Sequence, residues 1–334
     1  MRLTLVIPGL LWPRQALHDT VFDLSLPALE TLLGMGMRTH TPQRTLAEWW
    51  RDSFGLHAAT LPSAALRLTS LGIDPSEHCW LCADPVHLQL DRQGASLDDP
   101  ARLDLDEAEA RALHASLAPL FAEFGELHYA TPLDWHLALN VAAPAVIGDL
   151  RDILGHPGDA LLPAGEVGRP WRRALNEAQM LLHTHPVNLA REALGKPVIN
   201  SLALWGAGDC PAPAKPPFQR LLSNDAIIRG LAQCAKLETA NLPATYEDAA
   251  GRTTVHFDAL LGPTRMHDAF AWRDALTELE QGWITPALAA MKSGQLQQID
   301  LIAFGEQDSQ TITLRRRDLW KFWRRPASLD ELAA

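Results

Sequence analysis

Residues 183–211, H-T-H-P-V-N-L-A-R-E-A-L-G-K-P-V-I-N-S-L-A-L-W-G-A-G-D-C-P, constrain the fold more than any other stretch of the chain. Pro186 suits a first helical turn, where its missing N–H costs nothing. Gly195 suits the residue just past a helix end, with Lys196 and Pro197 beyond it. Asn188 and Arg191 stand three apart and so share one helix face. Val198–Trp205 is a short apolar run bounded by Pro and Gly, as a buried strand is. Gly206 and Gly208 then free the backbone to turn sharply or to approach a ligand. In open α/β sheets ligands bind beyond the carboxyl ends of strands, where Trp205–Asp209 is expected to lie.

A similar alternation runs through the rest of the chain. Strands are expected at Leu3–Ile7, Asp84–Leu90, Leu127–Asn140, Arg220–Ser223, Thr254–Leu260, Leu296–Phe304 and Thr311–Leu314. Helices are expected at Leu26–Leu33, Leu61–Leu71, Leu105–Phe124, Trp171–Leu182, Asp225–Cys234 and Phe270–Met291. Asp104 with Glu107 resembles a capping box for the third of these. Residues 155–170 are rich in Gly and Pro, residues 211–217 in Pro alone, and both read as loops. The pattern implies an α/β protein with a largely parallel sheet flanked by helices.

The length of 334 residues allows two domains, and a hydrophobic share of 47% suffices for a buried core. The net charge of −11 disfavours nonspecific binding to nucleic acid or anionic membranes. The first thirteen residues lack a basic region and a cleavage site, and read as a buried strand rather than a signal peptide. No apolar run approaches a membrane span, and the expected location is cytoplasmic.

Several groups have a chemical and a structural reading. Cys79-Trp-Leu-Cys82 has metal or redox spacing, but no second such pair exists, and the intervening Trp and Leu favour two packed thiols. His183 and His185 are two apart, on different helix faces, and one pair does not make a metal site. Residues 314–326, L-R-R-R-D-L-W-K-F-W-R-R-P, set cations around Trp320, Phe322 and Trp323. They suit either stacked bases or a final helix with docked aromatics, and the acidic remainder favours the helix. Ser63 at a helix start is a cap or, given the N–H groups and dipole there, a nucleophile.

Taken together, I-P-G-L-L-W-P at 7–13, A-D-P-V-H-L at 83–88, the run 185–208 and W-K-F-W-R-R-P at 320–326 resemble the archaeal-type cofactor-independent phosphoglycerate mutases of the alkaline-phosphatase superfamily. The proteobacterial, Rpf-type regulatory relatives are the nearest in pattern. The resemblance implies an alkaline-phosphatase-like core at 1–75 and 191–334, with a smaller α/β domain inserted at 76–190. It also implies a serine nucleophile between two divalent metals, and Ser63 matches that serine.

Other family positions differ. Ala64 stands where the family has aspartate, Arg67 where it has histidine, and Gly9 where the first strand ends in a metal-binding aspartate. In the late Asp-x-x-x-His segment, matched by 263–267, only His267 is kept. No Asp-His pair occurs near 304–308. Asn188, Arg191, Asn200, Trp205, Gly206 and Gly208 match. Without carboxylates and imidazoles to hold two cations about 4 Å apart, a serine hydroxyl is a poor nucleophile.

The expectation is therefore a mutase-like protein without the dinuclear metal site. It would bind a small anionic or phosphorylated ligand through Arg67, Asn188, Arg191, Asn200, Trp205, Gly206 and Gly208, in a regulatory role and with no metal cofactor. The alternative is an active mutase or phosphoesterase. It would use Ser63 with Mn or Zn held by rearranged ligands drawn from His40, His57, His267 and Asp268. A protein partner on the basic aromatic tail is a third reading.

Overall fold

A computed structural model describes all residues except 13, 42–44, 58–59, 92–93, 99, 145–149, 151–162, 213–215, 247–250, 306–308 and 333–334. The first half of the expected 155–170 loop, the middle of 211–217 and most of 304–308 therefore lie outside the described residues. In chain order the strands are β1 (Arg2–Pro8), β2 (Met37–Thr41), β3 (Cys79–Val86), β4 (Leu88–Asp91), β5 (Gly94–Leu97), β6 (Gly125–Tyr129), β7 (Trp135–Leu139), β8 (Ser201–Gly208), β9 (Arg220–Ser223), β10 (Glu238–Ala240), β11 (Arg252–His256), β12 (Gln298–Phe304) and β13 (Ser309–Arg315). The α-helices are α1 (Arg14–Val21), α2 (Pro27–Met35), α3 (Leu46–Ser53), α4 (Ser63–Ser70), α5 (Glu107–Phe121), α6 (Arg169–His183), α7 (Pro186–Ala193), α8 (Ala226–Cys234), α9 (Leu261–Arg265), α10 (Ala269–Leu279) and α11 (Thr285–Ser293).

The chain forms two compact units, Met1–Leu56 with Pro213–Ala334, and His57–Ala212. The second unit is wider than 76–190 at both ends, taking in α4 and β8.

The first unit is built on a seven-stranded sheet of order β10-β9-β11-β1-β12-β13-β2. β10, β9, β11, β1 and β12 run parallel, and β13 pairs antiparallel with both β12 and β2. This is the expected mostly parallel α/β sheet. β1 is central, and Leu3, Leu5, Val6 and Ile7 are all buried, as a strand covered on both faces requires. Leu29 and Leu32 of α2, Trp272 and Leu276 of α10 and Ala287 and Met291 of α11 join its apolar cluster.

The expected single helix over 270–291 is interrupted by a π turn at Glu280–Ile284. Pro286 has no N–H to give the Gly282 carbonyl, and that carbonyl accepts instead from the Tyr246 N–H at 2.6 Å. The turn also brings in Glu280, whose buried carboxylate accepts from the N–H groups of Ala28 (2.8 Å) and Leu29 (2.9 Å). It thereby supplies the side-chain cap that Leu26 cannot give α2.

The second unit holds an antiparallel sheet of order β6-β7-β3-β8. Its core gathers Leu113, Leu117 and Phe121 of α5, Trp171, Leu175 and Ala178 of α6, and Leu81, Leu137 and Leu204 from the strands. Phe124 and Trp171 stack with ring centroids 4.0 Å apart. The capping box of α5 is Asp106 with Glu109, two residues beyond the expected pair, because Asp104 takes a left-handed φ of 45° outside the helix. α7 ends as expected, with Gly195 at φ 69°.

Candidate functional site

The structure draws Ser63, Arg67, Trp205 and Gly206 together within the second unit. Trp205–Asp209 is expected beyond the carboxyl end of a strand in the parallel sheet; β8 instead pairs with β3 in the antiparallel one. From Cys82 to Trp80 the chain advances two residues, while its partner advances three, from Trp205 to Gly208. The extra residue is a β-bulge, and Gly206 sits in it at φ 63°. A Cβ there would lie 2.6 Å from Ser63 Cβ, and one on Gly208 would lie 2.8 Å from Pro62 Cβ. Both glycines thus admit the start of α4 against the sheet.

Arg67 has buried partners. Its guanidinium donates to the Asp84 carboxylate at 2.8 and 3.1 Å and lies 3.2 Å from Cys82 Sγ. It also pairs with Asp134 and stands over the Trp205 ring, 5.5 Å from its centroid. Burial works against the charged guanidinium, but Asp84 and Cys82 outweigh it, so its pKa is raised. Asp84 accepts further bonds from the Trp135 backbone N–H (3.1 Å) and Trp205 Nε1 (2.8 Å). Ser63 is wholly buried at the first turn of α4, with its hydroxyl 3.4 Å from the Leu61 carbonyl.

Asn188, Arg191 and Asn200 lie in a second set of bonds. Arg191 is fully buried. Its Nε donates to Pro197 O at 2.8 Å, and its other nitrogens bond Leu103 O, Asp104 O and the Glu109 carboxylate. Asn188 donates to Leu182 O and Ile199 O and accepts from Ile199 N–H. Asn200 brackets Leu88, accepting from its N–H and donating to its carbonyl. The sequence assigns these residues to a ligand; the structure commits their hydrogen-bonding groups to joining α7, β3, β4 and the chain before α5. Their shared face and polarity are equally those of a buried girdle, and no spacing separates the two roles.

Both C-x-x-C cysteines are thiols on β3, with Cys82 buried and Cys79 half-buried. Burial, and secondarily Asp209, push the Cys79 thiol up, which is the inert direction. His185 caps α7 by accepting from Val187 N–H at 3.2 Å through Nδ1, so its Nε2–H is placed to donate to Ser116 Oγ at 3.1 Å. His136 of β7, which sequence reasoning passed over, is wholly buried. Neither of its ring nitrogens has a hydrogen-bond partner among the described residues. Desolvation first, then Arg67 and His128, push its pKa down to about 3.

In the first unit, Gly9 closes β1 at φ 78°. Its carbonyl accepts from Trp272 Nε1 and Thr264 Oγ1, each at 2.8 Å. A Cβ at this position would meet Leu260 O and Thr264 Oγ1 at 2.7 Å. His267 takes a left-handed φ of 52°, and Asp268 caps α10 by accepting from Ala271 N–H. The C-terminal segment inverts its expected packing: Trp320, Phe322 and Trp323 are exposed, while Arg324 docks on the Met35 and Gly36 carbonyls. Among the described residues, the group of three metal-ligating side chains is Asp225, His256 and Asp258, with ligand atoms within 4.8 Å of one another. Sequence reasoning did not propose it; the signal was His256-x-Asp258 at a strand end, where alternate residues share a face.

Among the described residues no helix is long and apolar enough to cross a membrane. No protein-family model matches the chain. It is 32% identical over 135 residues to a 2,3-bisphosphoglycerate-independent phosphoglycerate mutase of Methanothrix thermoacetophila, covering 37% of this chain and 34% of that protein. The same name is carried by a Methanosarcina barkeri protein 32% identical over 130 residues, covering 37% of this chain and 31% of that one. The alignments thus span about a third of the relatives' length. Among solved structures, a cofactor-independent phosphoglycerate mutase from Thermoplasma acidophilum superposes over 94% of this chain and 89% of its own, at 15% identity and a TM-score of 0.47. A Pyrococcus horikoshii protein does so over 94% and 87%, at 11% identity and a TM-score of 0.49. Over that aligned third, the chain is similar in sequence to 2,3-bisphosphoglycerate-independent phosphoglycerate mutases.

Proposed function

We propose that this is a mutase-like protein that binds, and does not turn over, a small anionic or phosphorylated ligand in a regulatory role, as in the Rpf-type pattern. The observation that supports it is Gly9. At the position where the family resemblance implies a metal-binding aspartate, the backbone is left-handed and a Cβ would lie 2.7 Å from the Leu260 carbonyl. The residues present there do not fit the family's dinuclear metal group. Losing two cations forfeits the electrostatic term that usually dominates such catalysis. Arg67 and Arg191 bond the Asp84 and Glu109 carboxylates.

The active-enzyme reading draws on His40, His57, His267 and Asp268, and none of them belongs to the described metal-ligating group. The test is an assay of 2- and 3-phosphoglycerate interconversion with added Mn2+, on the parent and on Ser63→Ala. Both proteins are expected to stay at background. Turnover by the parent that vanishes in Ser63→Ala would replace this reading with that of a working mutase.

A further inference from the structure

The parallel sheet of the first unit sets β9 and β11 side by side, with Ser223 opposite His256 in register. Their carboxyl ends therefore emerge together, and each leads at once into an aspartate. Asp225 follows β9 as the cap of α8; its Oδ1 accepts from Ile227 N–H at 2.8 Å and Ile228 N–H at 3.4 Å. Asp258 follows β11, where Phe257 N–H bonds Val6 O and Leu261 N–H bonds Asp258 O, each at 2.9 Å. His256 is fully buried between these aspartates and the edge of the Trp50 ring, with centroids 5.4 Å apart.

We infer that Asp225, His256 and Asp258 form a mononuclear site for a divalent transition cation. Three side chains from two strand ends offer one imidazole nitrogen and carboxylate oxygens, all within 4.8 Å of one another. A common cation about 2.0–2.2 Å from each donor needs donors no more than about 4.4 Å apart, a separation that small side-chain rotations reach from this spread. Three protein ligands leave coordination positions for water or an exogenous anion. An imidazole with two carboxylates suits zinc or manganese better than calcium or copper(I).

The supporting shell is in place. Ser223 Oγ lies 3.1 Å from His256 Nδ1 and accepts from the Asp225 backbone N–H at 3.0 Å. A hydroxyl oxygen can take both N–H groups, which leaves the other ring nitrogen as the ligand atom. Arg229 ties down the Ser223 and Asn224 carbonyls at 3.1 and 2.6 Å, fixing the loop that carries Asp225. These residues lie outside the positions matched to the family's metal ligands, and the sequence expectation was of no metal. The inference goes beyond the proposed function, since a single cation does not rebuild a dinuclear phosphoryl-transfer centre.

The experiment is calorimetric titration of the metal-stripped full chain with Zn2+, repeated with Co2+ while its visible absorption is followed. One saturable equivalent per chain is expected. Asp258→Asn, an isosteric change at a half-buried side chain, is expected to weaken binding by more than about tenfold, and Ser223→Ala by about 10–100-fold with a shifted Co2+ spectrum. His267→Asn is expected to bind like the parent. Absence of a saturable equivalent, or Asp258→Asn binding as tightly as the parent, overturns the site. So does loss of binding in His267→Asn. The readout is occupancy, so the result stands apart from the phosphoglycerate assay.

Discussion

Arg67 shows how little a residue type reveals before its neighbours are known. An arginine on the first turns of a helix near a serine reads as an anion clamp, yet here Asp84 occupies that guanidinium and is itself held by Trp135 N–H and Trp205 Nε1. A buried pair of this kind contributes little beyond an apolar substitute, but breaking it strands a charge. Asp84→Ala is therefore expected to cost about 3–5 kcal/mol in urea denaturation. His136 makes a prediction in pH. Its folded pKa of about 3 lies below the ordinary 6.5, so across that window the unfolded chain binds the extra proton. Its contribution to stability is complete above the ordinary value and drains as pH falls towards the folded one, by up to about 1.4 kcal/mol per pH unit. Replacing it by leucine is expected to flatten stability against pH between 5 and 6.5 relative to the parent, measured by denaturation at each pH.

At the scale of elements, boundaries followed local chemistry wherever a cap or a breaker was present. Pro186 at the start of α7 and Gly195 after it were legible because each acts on its own backbone. The π turn was not legible. It needs Pro286, the Tyr246 N–H that takes over the Gly282 carbonyl, and a helix 250 residues earlier waiting for a cap. Glu280→Ala is expected to leave the Ala28 and Leu29 N–H groups without an acceptor and to cost about 1–3 kcal/mol. Glu280→Gln, which retains one oxygen, is expected to lose less, and thermal unfolding of the two variants compares them. The bulge in β8 was equally hidden, because Gly-Ala-Gly is compatible with a turn, a phosphate loop or a place where a helix lies close on a sheet.

For the whole molecule, the charge balance sets what it repels. A net charge of −11 opposes a nucleic-acid backbone, while the exposed aromatics at 320–323 sit among arginines. The whole-surface repulsion is expected to prevail. Labelled duplex DNA should show no change in anisotropy at about 0.15 M salt, where the screening length is about 8 Å. Tight, salt-sensitive binding would instead assign the tail to nucleic acid. A resemblance spread over four motifs implied an interrupted core, but the segment between the halves of the first unit runs from 57 to 212 because β8 and α4 pack with β3.

The sequence by itself determined the α/β class and most strands and helices. Those depend on periodicity, caps and residue identity, which act over a few residues. Tertiary structure alone decided which polar groups are spent on one another. It bound Arg191 to Glu109 and the carbonyls before α5, closed Gly9 against Leu260, and set Asp225 beside His256 and Asp258. The reason is physical: a buried donor takes whatever acceptor the fold carries to it, and that partner can lie dozens of residues away, beyond the reach of any local pattern.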